Sequence, residues 1–594
     1  MNPFVELLLK PEFRAWMGFP FRSMGYGNFI KSLIKARKLN DGPAKVLPRY
    51  LLPELWRNLG DRKAVVTSTG AVTFEELSER SVRLANSFYH QGLRESDRVA
   101  VLLNNEQAWF DVMLACGITG IKMPMLNTHL KPAELAKCIN TCAPKILVFS
   151  ESFLNSVQSI EKDLESVELL VCTSVDQSVV LPKRYVRFNE LINKGEYKLE
   201  QGGFGFSQMA FSGGSTGVPK FIVEGGSEGG SEISKHRMTG LSELDLKKIK
   251  AKFAYGISQI SVGKIKGQIV SLIPGPLYHA GTQVAVFPIY FGGTVVPMLK
   301  YDEQDFLRLI EKEKVNFTFV APTMLERVLK LPDDIKNKYD LSSMQVIYCA
   351  AAPCADYVKK GINEFFKSRG AKVNVFHEYY GSSEAACISV LLPEHYEENP
   401  KRYKSVGKVM GCDLMIYNPE TKKVCQPNED GHVIIRSARM YAINYGNSTE
   451  MENAFIDVNG VKWFDDGCVG HLDEDGFLYL TSRSKDMIIS GGVNIFPVEI
   501  EEVLRKHKNI LDVAVIKVSD SDLGEVPGAL IQTVDGNDIA KEQLIQFCKE
   551  NGLYGFKLPK HIKRIEKIPK NSAGKIRKID LEGEFENKTT LSAT

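Results

Sequence analysis

Nine short apolar runs, most of them rich in β-branched residues, recur between residues 64 and 376. They lie at 64–67, 99–103, 146–149, 169–172, 269–273, 294–298, 317–320, 346–348 and 373–376. Between several of them the spacing turns helical. In 75–92, for instance, Leu77, Ser81, Leu84, Ala85 and Phe88 follow a period of roughly 3.6 residues, which predicts an amphipathic helix. A chain that alternates strand and helix in this way builds parallel sheets covered by helices on both faces. Such sheets collect ligands at the carboxyl ends of their strands, so chemistry is expected in the loops that follow strands. At 594 residues the chain is too long for one core, which predicts at least two domains.

Composition narrows the functional classes. Lysine and arginine number 75 against 72 acidic residues, a formal charge of +3. Dedicated nucleic-acid binders carry a strong basic excess, so no nucleic-acid partner is expected. Eleven cysteines are scattered without a C-x-x-C pair. That speaks against a disulfide framework or a structural zinc site and for a reducing, cytoplasmic setting. Pro3, Glu6, Lys10, Pro11 and Glu12 interrupt the apolar core that a secretory signal needs, and Leu591-Ser592-Ala593-Thr594 is neither a peroxisomal nor a retrieval signal. The longest charge-free apolar stretch, 273–299, holds Pro274, Pro276, His279, Pro288, Gly292, Gly293 and Pro297. It reads as strand, loop, helix and strand inside a core, not as a membrane span.

The alternation breaks in three places. Residues 1–47 are a basic extension with eight Lys/Arg against three acids. In 29–39, Ile30, Leu33 and Ile34 share a helical face, with Lys31, Lys35 and Lys38 elsewhere. Two readings stand: a helix packed on the main domain, and a surface-lying helix that makes peripheral membrane contact. Between 224 and 267 a near-repeat, Glu224-Gly-Gly-Ser-Glu-Gly-Gly-Ser-Glu232, precedes a charged stretch at 235–252. It reads as a linker-like insertion, an exposed loop with a short helix. The third break falls near 483–486. After it, 513–518 and 529–534 look like strands and 540–550 like a helix, a small αβ unit.

The strongest chemical signal is Ser212-Gly213-Gly214-Ser215-Thr216-Gly217-Val218-Pro219-Lys220. Glycines let backbone N–H groups converge into a nest for phosphate oxygens. Ser212, Ser215 and Thr216 add hydroxyl donors or a metal contact, and Lys220 adds a point charge. It is not a Walker loop, because Pro219 stands where that motif has glycine and no Ser or Thr follows Lys220. Further along come Tyr379-Tyr380-Gly381-Ser382-Ser383-Glu384, after the 373–376 run, and Trp463-Phe464-Asp465-Asp466-Gly467. Gly470-His471-Leu472-Asp473-Glu474-Asp475-Gly476, Arg483-Ser484-Lys485-Asp486 and Gly491-Gly492-Val493-Asn494 follow, and then Pro569-Lys570-Asn571-Ser572-Ala573-Gly574-Lys575.

In this order and spacing the motifs resemble those of the adenylate-forming superfamily: acyl-CoA synthetases, firefly-type luciferases and the adenylation domains of peptide synthetases. The resemblance covers about residues 50–580. It implies an α/β fold with a large N-terminal domain, 48–484, of mostly parallel βα sheets plus a distorted barrel. A small mobile α+β lid, 485–594, would follow through a hinge. It implies an enzyme that joins a carboxylate to ATP, giving an acyl-adenylate and pyrophosphate, and then passes the acyl group to the thiol of coenzyme A. The loop 212–220 would grip the triphosphate. Tyr380, with Gly381, Ser382 and Ser383 beside it, would stack on adenine, with Ala351 and Ala352 along the other side. Glu384 would bind Mg²⁺ with Ser212, since a carboxylate beside phosphates is stable only with a cation between them. Lys575 would contact the substrate carboxylate and the α-phosphate, Arg483 the ribose or α-phosphate, and Lys485 would be the hinge. Gly491 and Gly492 would line the pantetheine tunnel. His279 would border the acyl pocket, whereas His377 and His471 read as structural. The nine Lys/Arg between 556 and 578 would either attract ATP and coenzyme A or simply form a solvated face.

One position departs from the pattern. The family has Asp directly after the glycine of 463–467, holding the ribose hydroxyls; here it is Cys468. A thiol is a weak partner, and losing a charged hydrogen bond costs roughly 1.5–3 kcal/mol, or about ten- to 150-fold in affinity. Asp466, about 6.6 Å away on the same side if the segment is extended, is placed to take over one ribose contact. Three readings follow: a working acyl-CoA ligase with a raised ATP requirement, an acyl-AMP ligase that loads a carrier protein, and a non-catalytic nucleotide- or acyl-binding relative. Asn127-Thr128-His129-Leu130, Glu134-Leu135 and Cys138-Ile139-Asn140 look like the fatty-acid-activating branch. With no charge in 273–298, a medium- to long-chain fatty acid is the expected substrate, with bile-acid-like or aromatic carboxylates as the alternative.

Overall fold

Six parallel strands form the middle of the largest sheet, in the spatial order Lys63–Thr67, Thr294–Pro297, Val270–Ile273, Phe317–Val320, Val346–Cys349 and Phe376–Ser382. The structure is a computed structural model, and it describes residues 26–39, 47–173, 181–198, 208–211, 220–224, 240–262, 265–445, 450–483, 486–490, 493–570 and 576–585. All four residues of Thr294–Pro297, Phe317–Val320 and Val346–Cys349 are buried. Strands covered on both faces need apolar side chains at every position, which is why these segments show continuous runs and no alternation. Beyond Phe376–Ser382 the same sheet turns antiparallel, through Ala386–Leu391 and Gly407–Val409 to Phe477–Arg483, Val461–Leu472 and Gly431–Arg436. A second, all-parallel sheet holds Val99–Leu102, Ile146–Phe149, Leu169–Cys172 and Tyr185–Arg187. A separate C-terminal domain has its own five-stranded sheet, with the Ile510–Asp520 and Gly524–Thr533 strands paired antiparallel along most of their length.

The helix expected at 75–92 is Phe74–His90, and Leu77, Ser81, Leu84, Ala85 and Phe88 are all buried on its inner face. Its start is fixed by a capping box: Thr73 Oγ1 accepts from the Glu76 N–H, and the Glu76 carboxylate accepts from the Thr73 N–H. The apolar stretch 273–299 is strand, short helical turns and strand, as read. Among the described residues no helix is long and apolar enough to cross a membrane.

Three local expectations are corrected. The strand expected at 373–376 begins only at Phe376 and runs on to Ser382. Asn374 diverts its side chain to Glu397 and Val373 is exposed, while Gly381, which reads as a loop residue, sits in a ladder with a register shift beside it. The helix within 224–267 is not short. Ile222–Glu224 pairs with Ile443–Tyr445, and Glu243–Val262 is a helix of 20 residues. The count of lysines hid the spacing of Leu246, Ile249, Phe253, Ile257 and Ile260, a stripe of helical period. Ile249 is buried, and a Cβ at Gly256 would lie 2.7 Å from the Gly411 Cα, so helix and loop meet backbone to backbone. The Gly/Ser near-repeat at 225–232 lies outside the described residues.

The third correction concerns the basic extension. Tyr26–Leu39 packs against Leu47–Leu59 with Ser32 and Ala36 fully buried and Leu33 against the core, whereas Ile34, assigned to the same face as Leu33, is 55% exposed. Asn58 donates to Ser32 Oγ at 2.7 Å, and Lys35 meets Glu54 at 2.7 Å. This is the packed-helix arrangement of the two readings.

Candidate active site

The carboxyl ends of two adjacent parallel strands supply the first walls. Cys349 and Glu378 are in register, so the residues that follow each strand position emerge side by side. Ala351 and Ala352 leave the Val346–Cys349 strand through a bend in which Ala351 takes φ +77°, a left-handed conformation that is uncommon outside glycine. On the neighbouring strand Tyr379 and Tyr380 lead into a tight hairpin. A Cβ at Gly381 would lie 1.9 Å from the Ala386 carbonyl oxygen, so only glycine fits. The turn that carries Ser383 and Glu384 is secured from both sides. The Ala385 N–H donates to Ser382 Oγ at 3.1 Å, Arg439 Nε donates to the Ser383 carbonyl at 2.9 Å, and Ser437 Oγ donates to the Ala385 carbonyl at 3.0 Å. Glu384 is half-buried within it.

A third wall comes from the Val461–Leu472 strand. Tyr380 donates its hydroxyl to Asp466 Oδ2 at 2.6 Å and also bonds with the Cys468 thiol. Burial, Asp466 and Cys468 together push the tyrosine's pKa well up, so it remains a donor. The strand is not simply extended here. Against the Gly431–Arg436 strand, Asp465 faces Ile434 and Val469 faces His432, so four steps on one side span two on the other. Gly467, at φ +73°, absorbs the excess. This bulge, and not the two-residue repeat of a regular strand, is what lets Asp466 and Cys468 reach the same hydroxyl. Asp465 braces it: one carboxylate oxygen accepts from the Gly467 N–H at 2.8 Å, and the other lies 2.8 Å from His432 Nδ1. The hydrogen bond to Asp465 raises the His432 pKa against the effect of burial. Cys468 in turn stands in register with Arg483 at the end of Phe477–Arg483. Neither His432 nor Asp465 was singled out from sequence as a site residue; 33 positions separate them, and no linear signal joins them.

His279 follows the Val270–Ile273 strand, and its Nδ1 accepts from the Gly281 N–H at 3.3 Å. A Cβ at Gly281 would meet the Phe319 ring at 3.1 Å, and Phe319 packs edge-on against Tyr379 with centroids 5.9 Å apart. The histidine therefore borders an aromatic wall that continues into the Tyr380 strand. The loop 212–219 lies outside the described residues, but its stem is described. Phe211 and Phe221 form an antiparallel bridge with rings 4.9 Å apart, and Ile222 N–H donates to the Ala210 carbonyl at 3.0 Å. Ser212, Gly213, Gly214, Ser215, Thr216 and Gly217 are among the residues outside the description, and Lys220 directly precedes the paired Phe221.

Lys485, Gly491, Gly492 and Lys575 also lie outside the described residues. The stem of 571–575 is clear: Lys570 bridges Ile576, and Arg577 N–H donates to the Pro569 carbonyl at 2.9 Å. The basic tail is largely compensated. Lys557, Lys560, Lys563, Arg564, Lys570, Arg577 and Lys578 each pair with a carboxylate, which weakens any attractive field for phosphates. His377 and His471 are held by the Val375 carbonyl and Asp430, in structural roles. Among the described residues no cluster of three His, Cys, Asp or Glu could hold a metal alone. A cation at Glu384 would need phosphate oxygens to complete its shell, which suits Mg²⁺ carried by a nucleotide.

The family model for AMP-binding enzymes matches residues 53–442, and that for the AMP-binding enzyme C-terminal domain matches 499–575. The chain is 26% identical to 2-succinylbenzoate–CoA ligase of Bacillus licheniformis over 87% of this chain and 95% of that protein. It is 26% identical to the rat mitochondrial medium-chain acyl-CoA ligase ACSF2, over 88% of this chain and 84% of that one. Among solved structures, the anthranilate CoA ligase AuaEII in complex with anthranoyl-AMP superposes with a TM-score of 0.72 at 22% identity, covering 92% of this chain and 98% of that one. The amide bond synthetase McbA from Marinactinospora thermotolerans gives 0.70 at 24% identity, covering 89% and 98%.

Proposed function

The chain belongs to the AMP-binding enzyme family, in its acyl-CoA synthetase branch, and from that premise we propose an ATP-dependent ligase that activates a medium- to long-chain fatty acid and transfers it to coenzyme A. The observation that carries the nucleotide half is the meeting of Tyr380, Asp466 and Cys468 at one hydroxyl, beside the strand end that bears Ala351 and Ala352. In this reading adenine lies between Tyr380 and the Ala351–Ala352 backbone. Asp466 accepts from the ribose in place of the aspartate that Cys468 replaces, and Ser212 to Lys220 cradle the triphosphate. Glu384, with Ser212, would hold Mg²⁺, which would supply charge neutralisation for the phosphates.

The acid's carboxylate oxygen attacks the α-phosphorus, the bond to the β-phosphate oxygen breaks, and pyrophosphate leaves. Lys575 offsets the charge that builds at phosphorus, a contribution of several kcal/mol in comparable sites. The thiolate of coenzyme A then attacks the acyl carbonyl and AMP leaves, with Gly491 and Gly492 along the thiol's path and Lys485 as the pivot between the two half-reactions. The apolar character of 273–298 and the aromatic wall His279–Phe319–Tyr379 support an apolar acid. The medium-chain ligase among the relatives agrees with this, while the succinylbenzoate ligase stands for the aromatic alternative. The working site is cytoplasmic.

The test is pyrophosphate release with ATP, Mg²⁺ and carboxylates of graded chain length, with and without coenzyme A. Chain-length-dependent release with thioester formation is expected. Acid-dependent release without thioester turns the reading to a carrier-loading acyl-AMP ligase, and no release at any ATP concentration to a non-catalytic relative.

A further inference from the structure

We propose that His432 is a positioning residue for the nucleotide pocket: through Asp465 it holds the Gly467 bulge that presents Asp466 and Cys468 to Tyr380. The inference rests on the nucleotide reading of that pocket. His432 is not among the residues assigned to the nucleotide. Its effect passes through one carboxylate, Asp465, which faces His432 with one oxygen and the Gly467 N–H with the other, both at 2.8 Å. The bulge carries two residues more than the partner strand and turns at Gly467, φ +73°. Asp465 ties that turn to His432 on the neighbouring strand.

The surroundings leave Asp465 as the carboxylate that governs His432. On the Asp413–Asn418 strand the residue opposite is Tyr417. Further along the same face Asp413 is taken by Arg436 at 2.8 Å and by Lys252. On its own strand Arg436 is thereby compensated. Asp430, next to the strand, is held by His471 of Val461–Leu472 at 2.8 Å. The hydrogen bond to Asp465 raises the His432 pKa above its unfolded value despite opposing burial. Its charge-assisted bond is therefore complete at lower pH and is lost as pH rises through the raised pKa. Neutral His432 can still donate from Nδ1 to the ionised carboxylate, but the attraction between two opposite charges is gone and the bond is weaker. The bulge then loosens, and adenine and ribose are held less well at higher pH.

The probe is 5′-O-sulfamoyladenosine, an AMP mimic without the phosphate that titrates near neutrality. Its Kd is measured by calorimetry on the full chain at intervals between about pH 6 and pH 8.5. We expect affinity to weaken about three- to fivefold over that range. His432→Gln and, separately, Asp465→Asn are expected to give flat profiles at the weaker value, and ATP titrations of pyrophosphate release to show the change in KM with kcat kept. A flat wild-type profile, or an unaltered slope in either variant, overturns the inference. Absence of binding in the wild type at every pH instead removes the nucleotide reading itself, and this inference with it.

Discussion

Tyr380 and Asp466, 86 residues apart in sequence, share a 2.6 Å hydrogen bond that ties the tyrosine hydroxyl to the Val461–Leu472 strand. In the proposed reading Asp466 has two tasks, orienting the ring and accepting from ribose, while Tyr380 needs its hydroxyl for only one of them. Asp466→Ala is expected to raise the KM for ATP by about tenfold or more, and Tyr380→Phe, which keeps the ring, by only about two- to tenfold. Cys468→Asp alone sets a second carboxylate at the same hydroxyl, where like charges oppose each other. The double variant Cys468→Asp/Asp466→Asn is therefore expected to have a lower KM than either single change. Steady-state ATP titrations decide this, and a larger effect from Tyr380→Phe than from Asp466→Ala contradicts it.

Below the same strand, Lys359 and Glu378 form an ion pair with side chains only 2% and 5% exposed. Lys359 also donates to the Tyr403 carbonyl at 2.6 Å and to that of Ser405 at 3.4 Å. Removing one partner leaves a buried charge uncompensated, so Lys359→Met is expected to cost about 3–5 kcal/mol in urea unfolding. Lys359→Met/Glu378→Leu should recover part of that. The carbonyls of Tyr403 and Ser405 still lose their donor, so recovery stays incomplete. Equal instability in single and double variants would show that the carbonyl bonds, not the pair, matter.

Strand positions were legible where a sheet buries both faces, because Ile146–Phe149, Leu169–Cys172 and Phe317–Val320 have no charged position and no Gly or Pro to blur their ends. The Tyr380 strand was misplaced because Gly381 and Ser382 at its end read as a turn, and a hairpin held by Arg439 and Ser437 overrides that preference. The motif residues on that hairpin were readable from sequence order, as was the oddity of Cys468. What the bulge does with Cys468 was not, since it depends on His432 and Asp465, brought together only by strand pairing. The long helix 243–262 was missed for a simpler reason: charge along the chain was weighed where spacing around the axis mattered.

That helix offers a test in which two effects of opposite sign compete. Replacing an interior helical glycine by alanine ordinarily gains about 0.8–1 kcal/mol. At Gly256, however, the new Cβ meets the Cα of Gly411 at 2.7 Å, backbone that cannot rotate away. Overpacking of this kind costs about 1–3 kcal/mol, so Gly256→Ala is expected to be destabilising overall. Thermal unfolding against the wild type checks the sign, and a raised midpoint means the contact relaxes freely.

In the C-terminal domain, the tail next to Lys575 is pinned by Glu501. This buried carboxylate meets Lys578 at 2.8 Å and Arg505 at 3.4 Å and accepts from the Val515 N–H at 2.9 Å. Burial alone would raise its pKa, but Lys578, Arg505 and the backbone donor outweigh burial and hold it below the ordinary range. A depressed pKa in the folded state gives stability that is complete above the unfolded value, about 4.3 for glutamate, and is lost as pH falls through the folded one. Glu501→Gln removes this contribution and leaves Lys578 facing a neutral amide. It is expected to destabilise the domain by about 3 kcal/mol at neutral pH, with the gap to wild type narrowing as acid protonates the native carboxylate. Because Lys578 stands three residues beyond Lys575, acyl-adenylate formation should also slow in Glu501→Gln, by about tenfold. Urea unfolding across pH, run beside pyrophosphate release, separates the two consequences. A stability gap that stays constant from neutral pH into acid would mean that the carboxylate's charge has no part in holding the tail.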